Sequence, residues 1–315
     1  MNSFRIFFSV FFFSLISVSA LTVTVNDFQA RSYTSKAGHT LVYRLYIPKN
    51  YNVNLAYPIM ITLHGAGERG NNNTSQLAYP LGLMWADDSV QIPHPCFVLS
   101  PQCPLNNQWV DTPWGNGTYR ISAVPLSDDM QAVVEILDSL FKQYHLDTLR
   151  QYVSGMSMGG YGTWDLAMRY PQRFAAVVPV CGAADTTQAN AIRNLPVWAF
   201  HAADDPVVPV RGSREMIAAL RARGGNPVYT EYAATLGIGH AAWVPAAANP
   251  GLVPWVFGQA RTAVPVIQPL RMNSNYHFME FEFVNILGQR RLRLRSGGGS
   301  EIPLQIFPTA PPTAR

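Results

Sequence analysis

Charge is scarce in this sequence: Asp, Glu, Lys and Arg together make up 13% of 315 residues. Chains that stay disordered carry more charge and less apolar bulk. With 48% hydrophobic residues, a large buried core is expected and disorder over most of the length is excluded. Cysteine is scarcer still. Cys96, Cys103 and Cys181 are an odd number, so the chain is not a disulfide scaffold. Cys96 and Cys103 flank a predicted strand, whose extension holds them too far apart to bridge. Cys103 and Cys181 each lie just past the end of a predicted strand, and a bridge between them stays open. Neither the cysteines nor the seven histidines fall at metal-ligand spacing, so no metal and no cofactor is expected. Internal repeats are absent.

Long apolar runs are lacking too, except at the start. Residues 6–18 are almost wholly apolar, follow a short polar start with Arg5, and precede Val18-Ser19-Ala20. This is short for a membrane span and has the layout of a signal peptide over residues 1–20, cleaved near Ala20. The expected product is secreted, periplasmic or on the cell surface, with no stable membrane span. The net charge of +4 is equally uneven. From residue 261 onward, seven arginines face only Glu280, Glu282 and Glu301, which leaves +4 in the tail. Residues 21–260 are then close to −1, so a nucleic-acid partner is not indicated.

What is present divides the chain. Residues 22–33 and 40–47 alternate apolar and polar side chains, predicting two half-buried strands. Residues 58–63 are almost entirely apolar, as in a parallel strand covered on both faces. Similar runs follow at 97–99, 151–153, 175–180 and 197–200, with a further strand at 227–232. Helical patterns lie between them at 128–144, 159–170 and 213–223. This alternation predicts an α/β protein with a mostly parallel sheet and helices on both faces. Past Pro265, residues 276–286 and 291–295 again alternate like strands. The predicted organisation is a signal peptide over 1–20, a catalytic domain over 21–262, and a basic β-like appendage or sorting tail over 263–315.

One stretch carries the chemistry. Residues 152–160 end a strand and begin a helix around Gly155-Met156-Ser157-Met158-Gly159. The G-x-S-x-G spacing is that of a nucleophile elbow, where glycines admit a turn too tight for Cβ atoms and the serine hydroxyl is held clear. Such a serine needs a base, a group to orient the base, and donors for the oxyanion. In α/β-hydrolases these follow in the order nucleophile, acid, histidine. Residues 200–209 run from a strand into a loop with Asp204 and Asp205, and Gly237-Ile238-Gly239-His240 follows the last predicted strand. His240 is the predicted base. The N–H of Met158, at a helix start, and the N–H of Ala66, in the loop after the first central strand, are the predicted oxyanion donors. His64 is expected to brace that loop and His201 to be structural. The segment 104–124 has no periodicity but holds Trp109, Trp114 and Tyr119. With Trp243 beside the histidine, these are predicted to contact substrate.

The motifs Leu-His-Gly-Ala-Gly-Glu-Arg-Gly (63–70), Ser-Pro-Gln-Cys-Pro (100–104), Gly-Met-Ser-Met-Gly-Gly-Tyr-Gly-Thr-Trp (155–164), Trp-Ala-Phe-His (198–201) and Asp-Pro-Val-Val-Pro (205–209) occur in this order. In this, residues 40–245 resemble the bacterial α/β-hydrolase esterases related to dienelactone hydrolases, polyhydroxyalkanoate depolymerases and feruloyl or acetylxylan esterases. The resemblance implies an α/β-hydrolase fold, with Asp205 rather than Asp204 as the acid beside Ser157 and His240. It also implies hydrolysis of carboxylic esters through an acyl-enzyme. Residues 233–236 make the approach to His240 longer than in that family. Export and the aromatic segment suit an aryl or short-acyl ester linked to plant polysaccharide. The alternatives are a polyester depolymerase, a prolyl-oligopeptidase-like peptidase and an inactive surface binding protein.

Overall fold

A computed structural model describes residues 23–262 and the strands at 281–286, 289–295 and 301–303. The contacts divide the chain after Ala263 into two units. The signal peptide expected over 1–20 lies outside the described residues.

The first unit is built on an eight-stranded sheet. Its strands are β1 (Gln29–Thr34), β2 (Thr40–Tyr46), β3 (Tyr57–Leu63), β4 (Phe97–Gln102), β5 (Leu146–Met156), β6 (Ala176–Val180), β7 (Trp198–Ala202) and β8 (Val228–Tyr232). Their spatial order is β1-β2-β4-β3-β5-β6-β7-β8. β1 pairs antiparallel with β2, and β2 antiparallel with β4, while every later pairing is parallel. The helices are α1 (Pro80–Leu83), α2 (Asp88–Gln91), α3 (Asp128–Gln143), α4 (Met158–Arg169), α5 (Arg211–Ala222), α6 (Trp243–Ala247) and α7 (Leu252–Phe257).

The apolar runs are explained by burial on two sides. Ile59, Ile61 and Leu63 enter the same core as α3, α4 and α5, whereas Met60 between them enters the core under α1, α6 and α7. Val153 and Tyr152 divide in the same way, as do Val177 and Val178. A strand with period-two side chains and a helix layer on each face must be apolar throughout. Fully burying each such side chain contributes about 1.5–3 kcal/mol. The long helix α3 also has its ends written in sequence. Ser127 accepts from the Met130 N–H, Asp128 and Asp129 occupy the positive first turn, and Lys142 lies in the last.

Three expectations are corrected in detail. The strand read over 22–33 begins only at Gln29, because Thr24 and Asp27 close a capping box that winds Val25–Asp27 into a 3-10 turn. β4 and β5 extend beyond 97–99 and 151–153, since backbone pairing continues through their polar flanks. The short α1, α2, α6 and α7 escaped periodicity, which needs more than one or two turns to register.

The second unit contains an antiparallel sheet of β9 (Phe281–Ile286), β10 (Gln289–Arg295) and β11 (Glu301–Pro303), in the order β11-β10-β9. Residues 276–280, also expected to be strand, lie outside the described residues.

Candidate active site

Four strands end at one edge of the sheet, and each delivers a piece of the site. β5 stops at Met156, and Ser157 turns the chain into α4 with φ 55° and ψ −120°. This left-handed backbone at a non-glycine residue costs on the order of 1–3 kcal/mol, which the surroundings must supply. They do so through the Ser157 N–H, donated to Val180 O at 2.9 Å, and through glycine on both sides. A Cβ at Gly155 would strike the carbonyl of Gly159, and one at Gly159 would strike the carbonyl of Leu63.

β7 delivers the acid. Just beyond it, the Asp205 side chain is fully buried, and its Oδ1 accepts from the N–H groups of Val207 at 2.8 Å and Val208 at 2.9 Å. Burial alone would raise the carboxyl's pKa. Hydrogen bonds to His201 and His240, followed by the two amides, outweigh it and hold the group well below the usual carboxylate range. Asp205 is therefore a fixed negative charge. After β8, the glycines at 237 and 239 (φ 61° and 58°) carry His240 back over the sheet edge. Its Nδ1 lies 2.7 Å from Asp205 Oδ2 and its Nε2 lies 2.7 Å from Ser157 Oγ. With carboxylate on one side, Nδ1 carries the proton and Nε2 offers its lone pair to the hydroxyl. Asp204, the rival acid, instead accepts from the Gly239 N–H at 3.1 Å and so supports the histidine loop.

β3 delivers the donor loop. A Cβ on Gly65 would be 3.6 Å from Ser157 Cβ, so this loop lies against the nucleophile. Among the described residues, the N–H groups of Met158 and Ala66 have no hydrogen-bond partner. The loop is braced from behind by His64. Its Nε2 accepts from the Cys103 N–H at 2.9 Å, its Nδ1 contacts Gly65 O at 2.6 Å, and its own carbonyl accepts from Trp109. Burial lowers the His64 pKa to about 4, so the ring stays neutral and keeps the lone pair that Cys103 requires. His201 is also interior. It packs 3.4 Å from Asp205 Oδ2 and pairs with Ser213 and Val208 O.

The aromatic residues divide. Trp109 is completely buried, its indole N–H donated to His64 O at 3.1 Å. Tyr119 is buried as well, its hydroxyl donated to Asp165 at 2.9 Å. The expectation that these two contact substrate is corrected, because both spend their polar atom inside the core, where the segment 104–124 is tied down. Trp114 is only half-buried, packed against the core with Arg69 over its ring at 5.7 Å. Trp243 stands edge-on to His240 at 5.4 Å and to Tyr79 at 5.8 Å.

Residues that the sequence did not single out also meet here. Buried Glu68 faces Tyr79, and burial pushes its carboxyl up against the opposing hydrogen bonds. The acid in His-Gly-Ala-Gly-Glu-Arg-Gly was the available signal. Cys181 follows β6 at φ 40° and is buried. Its place at a strand's carboxyl end could have marked it. Among the described residues, all three cysteines are free.

Residues 34–221, more than half of the chain, match the sequence profile of the Esterase family. The chain belongs to that family. It is 26% identical over 185 residues to a bifunctional acetylxylan esterase/xylanase of Neocallimastix patriciarum. The match takes in 59% of this chain and 24% of that relative, so the chain spans about a quarter of the length of the curated protein it matches. The crystal structure of a thermostable esterase superposes with a TM-score of 0.70 at 38% identity, covering 75% of this chain and 64% of that one. The feruloyl esterase module from Clostridium thermocellum superposes with a TM-score of 0.55 at 16% identity, covering 75% of this chain and 90% of the module. At that identity, the likeness speaks for the α/β-hydrolase fold.

Proposed function

We propose that this esterase-family protein is an exported serine carboxylesterase that releases aryl or short acyl groups from esters of plant polysaccharide. The observation that carries the reading is the unbroken line from Asp205 through His240 to Ser157, with both contacts at 2.7 Å.

Ser157 Oγ attacks the ester carbonyl while His240 Nε2 takes its proton. The imidazolium is stabilised by Asp205, whose low pKa keeps it ionised throughout. The carbonyl oxygen becomes an anion, for which the N–H groups of Met158 and Ala66 are the assigned donors. Collapse breaks the bond to the leaving alkoxide, which takes the proton from His240 and departs as the alcohol. Water then repeats the sequence on the acyl-enzyme and frees the acid.

Support for the substrate class comes from the leader-like first 20 residues and from the half-exposed Trp114 and Trp243. It comes also from the relatives, since the N. patriciarum protein is named for acetylxylan and the C. thermocellum module for feruloyl esters. A polyester is the second reading, favoured by the exposed Val207 and Leu236 on the acid and histidine loops and Val244 in α6.

The test is p-nitrophenyl acetate turnover, followed by release of acetate, ferulate and terephthalate from polymeric esters. Ser157→Ala is expected to lower kcat by on the order of 10⁴ or more. An active parent enzyme unaffected by that substitution would remove Ser157 from the reaction. An inactive parent that still binds ligand would make the protein a binder. Terephthalate release without ferulate or acetate release would favour the polyester reading.

A further inference from the structure

Behind the proposed base lies a thiol with no role in the reaction above. Cys181 Sγ, a carboxylate oxygen of Asp205 and a ring nitrogen of His240 all lie within 4.8 Å of one another, a grouping of three ligands drawn from the ends of β6, β7 and β8. We propose that this grouping is a binding site for a thiophilic divalent cation, Zn²⁺ or Cd²⁺, and that its occupation switches the hydrolase off.

The dimensions are suitable. In a tetrahedral zinc site with bonds of about 2.0–2.3 Å, neighbouring ligand atoms are roughly 3.3–3.8 Å apart. The three atoms therefore need to adjust by about an ångström, part of it by opening the 2.7 Å contact between His240 and Asp205. His240 is the ligand placed to give, being 19% exposed where the Asp205 side chain is wholly covered. Charge is also matched. A thiolate and a carboxylate together neutralise a divalent ion, so the complex with a neutral imidazole carries no net charge into the interior. Binding forms one metal–sulfur, one metal–oxygen and one metal–nitrogen bond, and releases the thiol proton to solvent. No electron is transferred. Until a cation arrives, burial pushes the Cys181 thiol far above its ordinary pKa, so it stays protonated and inert.

Inhibition follows whichever ring nitrogen is used. Metal on Nδ1 evicts the proton that Asp205 holds and forces the other tautomer. Metal on Nε2 occupies the lone pair that would accept the Ser157 proton. Borderline and soft ions are selected by the sulfur, and Mg²⁺ and Ca²⁺, which prefer oxygen, are not.

The site is read directly with Co²⁺, whose bond to thiolate gives a near-ultraviolet charge-transfer band that requires no ester and no turnover. The full-length protein should show the band, Zn²⁺ should displace it, and Mg²⁺ should not. Cys181→Ser should abolish it, while Cys96→Ser and Cys103→Ser retain it, with circular dichroism checking that each variant is folded. In parallel, Zn²⁺ should inhibit p-nitrophenyl acetate hydrolysis, and Cys181→Ser should raise the inhibitory concentration on the order of tenfold or more relative to its own metal-free rate. That second arm rests on the proposed esterase reaction, and the spectrum does not, so the two can fail separately. A band that survives Cys181→Ser, or no band in the parent protein, would overturn the proposal. Should Cys181→Ser not fold, His240→Ala serves in its place, with loss of the band supporting the site and an unchanged band overturning it.

Discussion

At the scale of single residues, the site depends on groups held in one protonation state. His64 is the clearest, since burial drives its pKa from 6.5 to about 4. The unfolded chain therefore binds a proton more readily than the folded one between those values, and stability rises with pH across that window. The contribution is complete above pH 6.5 and is lost as pH falls toward 4, a change of about 3 kcal/mol. Urea denaturation at pH 7 and pH 4.5 should show the decline, and His64→Gln should flatten the part of the slope between them. A second prediction separates two tryptophans that look alike in sequence. Trp109→Ala removes a fully buried ring and should destabilise the protein by about 3–5 kcal/mol. Trp114→Ala, at a ring only partly buried against the core, should lower the melting temperature much less than Trp109→Ala and raise KM for bulky aryl esters more than for p-nitrophenyl acetate. Equal losses on both esters would make Trp114 only a prop for Arg69.

At the scale of elements, the turn from β5 into α4 is the tightest joint in the first unit. Gly155 and Gly159 are in close backbone contact with each other and with the end of β3, so neither has room for a methyl group. Gly155→Ala should cost about 3 kcal/mol or more, visible as a lower urea midpoint, because backbone and Thr163 must both retreat. The same substitution at Gly67, where an added methyl would meet nothing within 4 Å, should cost much less. The elbow was legible in the sequence because its constraint is local: five residues dictate their own geometry. The same holds for α3, whose cap, first-turn acids and apolar stripe agree. The aromatic segment 104–124 was not legible. Nothing in its spacing distinguishes a ring that lines a cleft from one that plugs the core, and only packing against β3 and α4 assigns Trp109 and Tyr119 to the interior.

At the scale of the whole molecule, residues 23–262 contain both faces of the eight-stranded sheet and the site at its edge. A chain of residues 21–262 is accordingly expected to fold and to hydrolyse p-nitrophenyl acetate, with a melting temperature close to that of the full chain. Loss of cooperative unfolding on truncation would show that the tail completes the core. The sequence by itself determined the alternation of strands and helices, the strained serine and the identity of its partners. Each of these follows from short-range sterics, from burial periodicity or from an ordered set of motifs. Only the tertiary structure decided which aromatic rings are sealed in the core and which reach solvent, and that a cysteine lies beside both Asp205 and His240. Those relations join residues dozens of positions apart, and their distances exist only once the parallel strands are stacked side by side and end together.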